Sequence, residues 1–189
     1  IKKNDEVIVP SCTYVATASA VLSLGGNPVF ADIDLNTLNV TVDSIKKCIT
    51  KKTKAVIVVH LGGCPCDMRS IVSLIKKKNL KLIEDCSQAH GAKYENKPVG
   101  SFGDLSTWSF CQDKIISTAG EGGMITTNNK KYRDFVWSLK DHGKSEISLK
   151  KQQKKIGFKW IHDNEGSNYR LTEIQSATGR IQLKNIKKT

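Results

Sequence analysis

Three residues of different chemistry stand where an α/β protein gathers its ligands. Asp85 closes the run Leu80-Lys81-Leu82-Ile83-Glu84-Asp85, and Ser109 and Lys114 follow the run that ends at Trp108. In open α/β sheets, small molecules bind outside the carboxyl ends of the strands. A carboxylate, a hydroxyl and an amine placed there can converge on one molecule, and a lysine amine acts as a nucleophile once it is neutral. Taken singly, each residue is ordinary. An aspartate after a strand is commonly a helix N-cap, and Lys114 is one lysine among many.

Such residues need a sheet to hold them, and the chain spells one out. Glu6 to Val9, Pro28 to Asp32, Lys54 to His60 and Leu80 to Asp85 read as strands. Between them Val15 to Leu24 reads as a helix stopped by Gly25-Gly26. Thr41 to Ile49 has helical spacing with Thr41 as N-cap, and Met68 to Lys78 is helical with apolar Ile71, Val72, Leu74 and Ile75. Strand and helix alternating in this way predict βαβ units and a mostly parallel sheet. After residue 100 the pattern changes. Leu105 to Phe110 and Gly123 to Thr127 read as strands, Lys130 to Leu139 as a helix, Lys144 to Glu165 as an extended loop or hairpin, and Tyr169 to Ile186 as a final helix.

Four ordered motifs make the reactive residues less ordinary. Ser109-Phe110-Cys111-Gln112-Asp113-Lys114 leads into Gly120-Glu121-Gly122-Gly123, a lysine before a glycine-rich turn and a strand. Ile83-Glu84-Asp85-Cys86-Ser87-Gln88-Ala89-His90-Gly91-Ala92 is the second, Asp5 to Thr17 the third, and Gly166-Ser167-Asn168-Tyr169-Arg170-Leu171-Thr172-Glu173-Ile174-Gln175 the fourth. In this order and spacing the chain resembles the DegT/DnrJ/EryC1/StrS family of sugar aminotransferases over almost its whole length.

The resemblance implies the α/β large domain of fold-type I pyridoxal-phosphate enzymes, a mostly parallel sheet flanked by helices. It implies pyridoxal 5'-phosphate as cofactor, carried by Lys114, the position that matches the family's cofactor-bearing lysine. Asp85 matches the aspartate that faces the pyridine nitrogen. An adjacent opposite charge shifts a carboxylate by about 1–3 pKa units, roughly 1.4–4 kcal/mol of coupling, whereas an N-cap contributes only ~1 kcal/mol. Gln88 matches the glutamine near the cofactor's O3′, and Ser109 a phosphate ligand. Tyr14 matches the stacking aromatic, with a core aromatic at a helix start as the plainer alternative. Asn168 matches an asparagine that reaches the phosphate of the neighbouring subunit, which implies a homodimer with shared sites; an N-cap of the last helix is its other reading. His60 and His90 are read as structural. Cys111 stands where many relatives carry histidine, and Ala119 where glycine is frequent.

Dehydratase relatives carry histidine where Lys114 stands, so the lysine implies transamination. The implied reaction moves an amino group from an amino acid, usually glutamate, to a keto sugar linked to a nucleotide, feeding polysaccharide or secondary-metabolite synthesis. Family members are longer at both ends. Residues 1–189 are therefore expected to be most of the large domain, with the N-terminal phosphate-loop segment and the C-terminal small domain lying outside them.

Composition narrows the rivals. At 39% hydrophobic and 25% charged residues a soluble core can form, and no apolar run approaches the ~20 residues that cross a bilayer. The cysteines Cys12, Cys48, Cys64, Cys66, Cys86 and Cys111 show no CxxC pair, which suits a reducing cytoplasm. His60, Cys64, Cys66 and His90 could be imagined as metal ligands, but Cys64-Pro65-Cys66 is too tight for the usual zinc spacing, and no metal is expected. The net charge of +12 raises a basic nucleic-acid-binding domain as one rival. Its bases are mostly lysine rather than the arginine preferred for phosphate and base contacts, so a solvated lysine-rich surface is the better reading, with neither nucleic acid nor membrane as partner. The other rival is a cofactor-binding dehydratase or regulatory relative without amino transfer.

Overall fold

The structure, a computed structural model, describes residues 1–152 and 162–186. In chain order the first half holds β1 (Glu6–Pro10), α1 (Ala16–Ser23), β2 (Asn27–Ala31), α2 (Val42–Cys48), β3 (Thr53–Val59), α3 (Met68–Lys78) and β4 (Lys81–Asp85). Then come β5 (Lys93–Tyr94), β6 (Lys97–Pro98), β7 (Leu105–Ser109), β8 (Gly123–Thr126), α4 (Lys130–Lys140), α5 (Glu146–Gln152) and α6 (Glu173–Asn185). Six strands make one sheet in the order β2-β1-β3-β4-β7-β8. All neighbours in it are parallel except β7 and β8, which run antiparallel.

Side chains alternate across a strand, and both faces of this sheet are covered. Ile8, Val56, Val58 and Leu82 pack on one face with Ile45 of α2 and with Met68, Ile71 and Leu74 of α3. Val7, Val9, Ala55 and Ile57 pack on the other with Val21 of α1. The central strands are therefore continuous apolar runs rather than alternating ones, the mark of a parallel sheet buried on both sides. Caps set the helix ends. Thr41 and Ser44 form a reciprocal capping box at α2, and Asp67 accepts from Ser70 N at α3, which ends at Asn79 in the left-handed region.

Inside β4, between Ile83 and the half-buried Asp85 at its end, sits the fully buried carboxylate of Glu84. It accepts from Gly100 N at 2.8 Å, Phe102 N at 2.8 Å, Gly103 N at 2.6 Å and His60 Nε2 at 3.2 Å. His60 Nδ1 accepts from Cys66 N at 3.1 Å, so the ring proton resides on Nε2 and points at Glu84. This knot ties the turn before β7 to the middle of β4 and sets the register in which Asp85 lies opposite Thr107. Gly100 is required there twice over: its φ is +80°, and a Cβ would lie 2.5 Å from the Trp108 ring.

Three expectations are corrected. Lys144 to Glu165 is not all loop: Ser145 Oγ caps Ser148 N at 3.0 Å, α5 follows, and Arg133 of α4 grips Glu146 with both guanidinium nitrogens. Residues 153–161 of that stretch lie outside the described residues. The last helix begins at Glu173 rather than Tyr169, because Thr172 and Gln175 form its capping box. The N-cap reading of Asn168 falls with it. The hairpin β5–β6, missed in the sequence, turns on Glu95 (φ 47°) and Asn96 (φ 64°), the two left-handed residues that a type I′ turn needs.

Candidate active site

β4 and β7 lie side by side and parallel, so the segments after them leave the same edge of the sheet. Asp85 is half-buried at the end of β4. Its Oδ1 accepts from Ser87 N at 3.0 Å, and a tight turn follows, closed by Ala89 N on Cys86 O at 2.9 Å. No helix starts there, so Asp85 is not a helix N-cap. Its second oxygen has no hydrogen-bond partner among the described residues.

Lys114 sits in the loop that leaves β7. Thr118 N on Phe110 O at 3.1 Å closes that loop, and Lys114 N on Cys111 O at 3.0 Å tightens its tip. The Lys114 side chain is only 19% exposed, which sets it apart from an ordinary surface lysine. Its Nζ lies 3.8 Å from Asp113 Oδ2, on a side chain that is 70% exposed. The Cys111 thiol, the Asp113 backbone amide and the Lys114 charge, in that order, hold the Asp113 carboxyl below its usual range. Cys111 Sγ donates to Glu121 Oε1 at 3.3 Å, and contact with Glu121 first and Asp113 second pushes its pKa up. Cys111 is thus a protonated thiol.

The other expected residues divide by position. Ser109 Oγ accepts from Cys111 N at 3.3 Å and keeps its own hydrogen for a ligand. Gln88 is exposed, and its Oε1 accepts from Gly62 N at 2.8 Å in the short 3-10 turn Leu61–Gly63 after β3, leaving the amide NH2 to donate. Tyr14 is at the carboxyl end of β1 and 77% exposed, so the reading of it as a core aromatic is wrong. Asn168 is not brought to this group. It bridges to Asp141 at the end of α4, and its Oδ1 accepts from Arg170 N at 3.4 Å.

His90, read as structural, is buried between the rings of Trp108 (5.5 Å) and Phe110 (5.9 Å). Neither ring nitrogen has a hydrogen-bond partner, alone among the buried side-chain polar atoms described. Burial pushes its pKa down; the nearby Ser109 backbone opposes this, and the Lys114 charge adds to the lowering. It borders a cavity of about 500 Å³ that also touches Ile116, Thr118 and Leu183.

Glu84 escaped the sequence reading, although a lone glutamate inside Leu82-Ile83-Glu84 was a visible signal. Burial would raise its pKa, but the His60 and backbone N–H bonds outweigh burial and keep the carboxyl below its ordinary value. His60, Glu84 and Cys86 bring potential metal-ligand atoms within 4.8 Å of one another. Both His60 nitrogens and both Glu84 oxygens are already hydrogen-bonded, and burial pushes the Cys86 thiol far up. The trio is therefore a structural knot.

The group at the edge offers an amine, a carboxylate with a free oxygen, an amide NH2 and a hydroxyl. These match the aldehyde, ring nitrogen, phenolic oxygen and phosphate of pyridoxal 5'-phosphate, so the donor set fits that cofactor.

A profile of the DegT/DnrJ/EryC1/StrS aminotransferase family matches residues 1–189. GDP-perosamine synthase of Escherichia coli O157:H7 is 46% identical over 183 residues, 97% of this chain and 47% of that protein. The dTDP-3-amino-3,6-dideoxy-alpha-D-galactopyranose transaminase of Aneurinibacillus thermoaerophilus is 44% identical over 180 residues, 95% of this chain and 46% of that protein. The crystal structure of an aminotransferase from Psychrobacter cryohalolentis superposes with a TM-score of 0.95 at 49% identity, covering 98% of this chain and 47% of that one. The chain spans about half the length of the curated relatives it matches.

Proposed function

The chain belongs to the DegT/DnrJ/EryC1/StrS aminotransferase family, and from that premise we propose that it is most of the large domain of a pyridoxal-phosphate-dependent nucleotide-sugar aminotransferase. The reading is carried by one observation: a largely buried lysine amine and a half-buried carboxylate leave adjacent parallel strands at the same edge.

Bound pyridoxal 5'-phosphate supplies an aldehyde and an electron-withdrawing ring. Lys114 Nζ is the group to bind that aldehyde and later to carry a proton to and from the substrate carbon. The free Asp85 oxygen holds a proton on the ring nitrogen. Gln88 Nε2 donates to the phenolic oxygen, Ser109 Oγ to the phosphate, and the exposed Tyr14 ring covers one face. Asn168, which bridges to Asp141 rather than contacting the other candidate residues, serves the phosphate of a second protomer, which makes the enzyme a homodimer with shared sites.

The GDP and dTDP sugars in the relatives' names support a nucleotide-linked keto sugar as acceptor. An amino acid, glutamate in this proposal, is the donor. No described helix is long and apolar enough to cross a membrane, and the free cysteines suit a reducing compartment, the cytoplasm.

Borohydride reduction in the presence of pyridoxal 5'-phosphate, followed by peptide mapping, tests the assignment. The label is expected on Lys114 and absent from Lys114→Ala; a label confined to other lysines defeats it. Adding glutamate before reduction separates a transaminase, whose absorbance shifts to the pyridoxamine form, from a dehydratase or regulatory relative, whose absorbance stays.

A further inference from the structure

In a βαβ unit the helix returns antiparallel to the strands, so helix C-termini and strand starts share one edge of the sheet. The candidate site occupies the opposite edge. Every lysine in the first 92 residues falls at the amino edge. Lys46 and Lys47 end α2, and Lys76, Lys77 and Lys78 end α3. Lys51, Lys52 and Lys54 lead into β3, Lys81 opens β4, and Lys2 and Lys3 precede β1. All are exposed. The carboxyl edge of the same half carries Asp32, Asp34, Asp67 and Asp85 and no lysine.

A merely solvated surface does not explain this segregation, since α1 and the loops after β1 and β2 also carry exposed residues and have no lysine. Helix dipoles favour a cation in the last turn, which covers α2 and α3 but not the lysines ahead of β1, β3 and β4. Little on this edge neutralises the charge. Lys46 pairs with Asp43 and Lys81 with Asp104. Asp5 and Glu6 add two negative charges here, hydrogen-bonded to Lys2 N and the Thr50 hydroxyl rather than paired with a lysine, which still leaves the edge strongly positive. The other nine lysines have no carboxylate partner among the described residues.

We propose that this amino edge is a docking surface for an anionic lipid bilayer, which the protein meets with its candidate site facing away from the membrane. The chemistry favours lipid headgroups over nucleic acid. The patch is built of flexible, strongly hydrated lysines, with Arg69, on α3, outside it; the Tyr132 ring beside it is half-buried, with Lys81 Nζ 5.6 Å over its centroid. Lysines near a negatively charged bilayer contribute additively and without shape selection.

Flotation of the intact protein with vesicles tests this. Binding is expected to vesicles of phosphatidylcholine mixed with phosphatidylglycerol at low salt, to weaken as salt rises, and to be absent with phosphatidylcholine alone. At about 1 kcal/mol per lysine, the variant K76Q/K77Q/K78Q should partition about a hundredfold less. The control K93Q/K97Q, neutral at two exposed lysines away from this edge, should keep most of the binding. Absence of flotation at low salt, or an equal loss in the control, overturns the proposal. So does binding of duplex DNA that K76Q/K77Q/K78Q abolishes while vesicles stay unbound. None of these readouts depends on the cofactor, so the aminotransferase reading stands or falls separately.

Discussion

At Asp85 the Ser87 amide holds one carboxylate oxygen and leaves the other open. Asp85→Asn keeps the turn, because an amide oxygen still accepts from Ser87, but loses the charge. If the coupling to a protonated ring nitrogen is roughly 1.4–4 kcal/mol, turnover should fall about ten- to a thousandfold with the fold unchanged. Steady-state kinetics beside circular dichroism decides it, and unchanged turnover removes Asp85 from the site. Ala119 poses a different question. In sequence its replacement of a frequent glycine reads as minor, but its φ of 59° is left-handed, where an alanine is strained. Ala119→Gly should therefore raise stability by about 0.5–1 kcal/mol, the strain relieved less the extra glycine entropy. A higher urea midpoint at unchanged slope is the expected result.

Among the elements, β4 contributes both an acid for chemistry and an acid for architecture. Its alternation sends Glu84 inward and leaves Asp85 at the strand end. The loop that delivers β7 hangs on Glu84 through three backbone N–H groups. In Glu84→Gln an NH2 would face these donors, and the loss should be about 2–4 kcal/mol. The pH dependence has a definite sign. The folded-state pKa of Glu84 lies below the ordinary value of 4.5, so across that interval the unfolded chain binds more protons. The contribution is complete above the ordinary carboxylate range and is lost as pH falls through the depressed folded value. Acid-unfolding curves should show a steeper loss in the native protein than in Glu84→Gln; equal slopes would clear Glu84 of this role.

At the scale of the whole molecule, Asn168 and Lys114 belong to different groups within one protomer. If the proposed dimer shares its sites, mixing Lys114→Ala with Asn168→Ala should restore activity, because a mixed dimer contains one site with both residues intact. Random exchange predicts about a quarter of the native activity. No recovery after verified subunit exchange contradicts the shared site. The same scale exposes a polarity within the first 92 residues, whose lysines all lie at the edge opposite the candidate site.

The amino-acid sequence alone determined what depends on near neighbours. Strand and helix periods, the Thr41 cap, the Met68–Lys78 helix and the order of four motifs are all written within short stretches, because backbone preference and burial repeat every two or 3.6 residues. Those motifs also sufficed to name the family. Only the tertiary structure decided which distant residues meet: Gln88 with Gly62, His60 with Glu84, Arg133 with Glu146. It also stripped Asp85 and Asn168 of their capping readings, placed Tyr14 in solvent, and gathered eleven separated lysines on one edge. Such pairings are chosen by packing and by the need to satisfy buried polar groups, and those demands arise only once the sheet has brought the segments together.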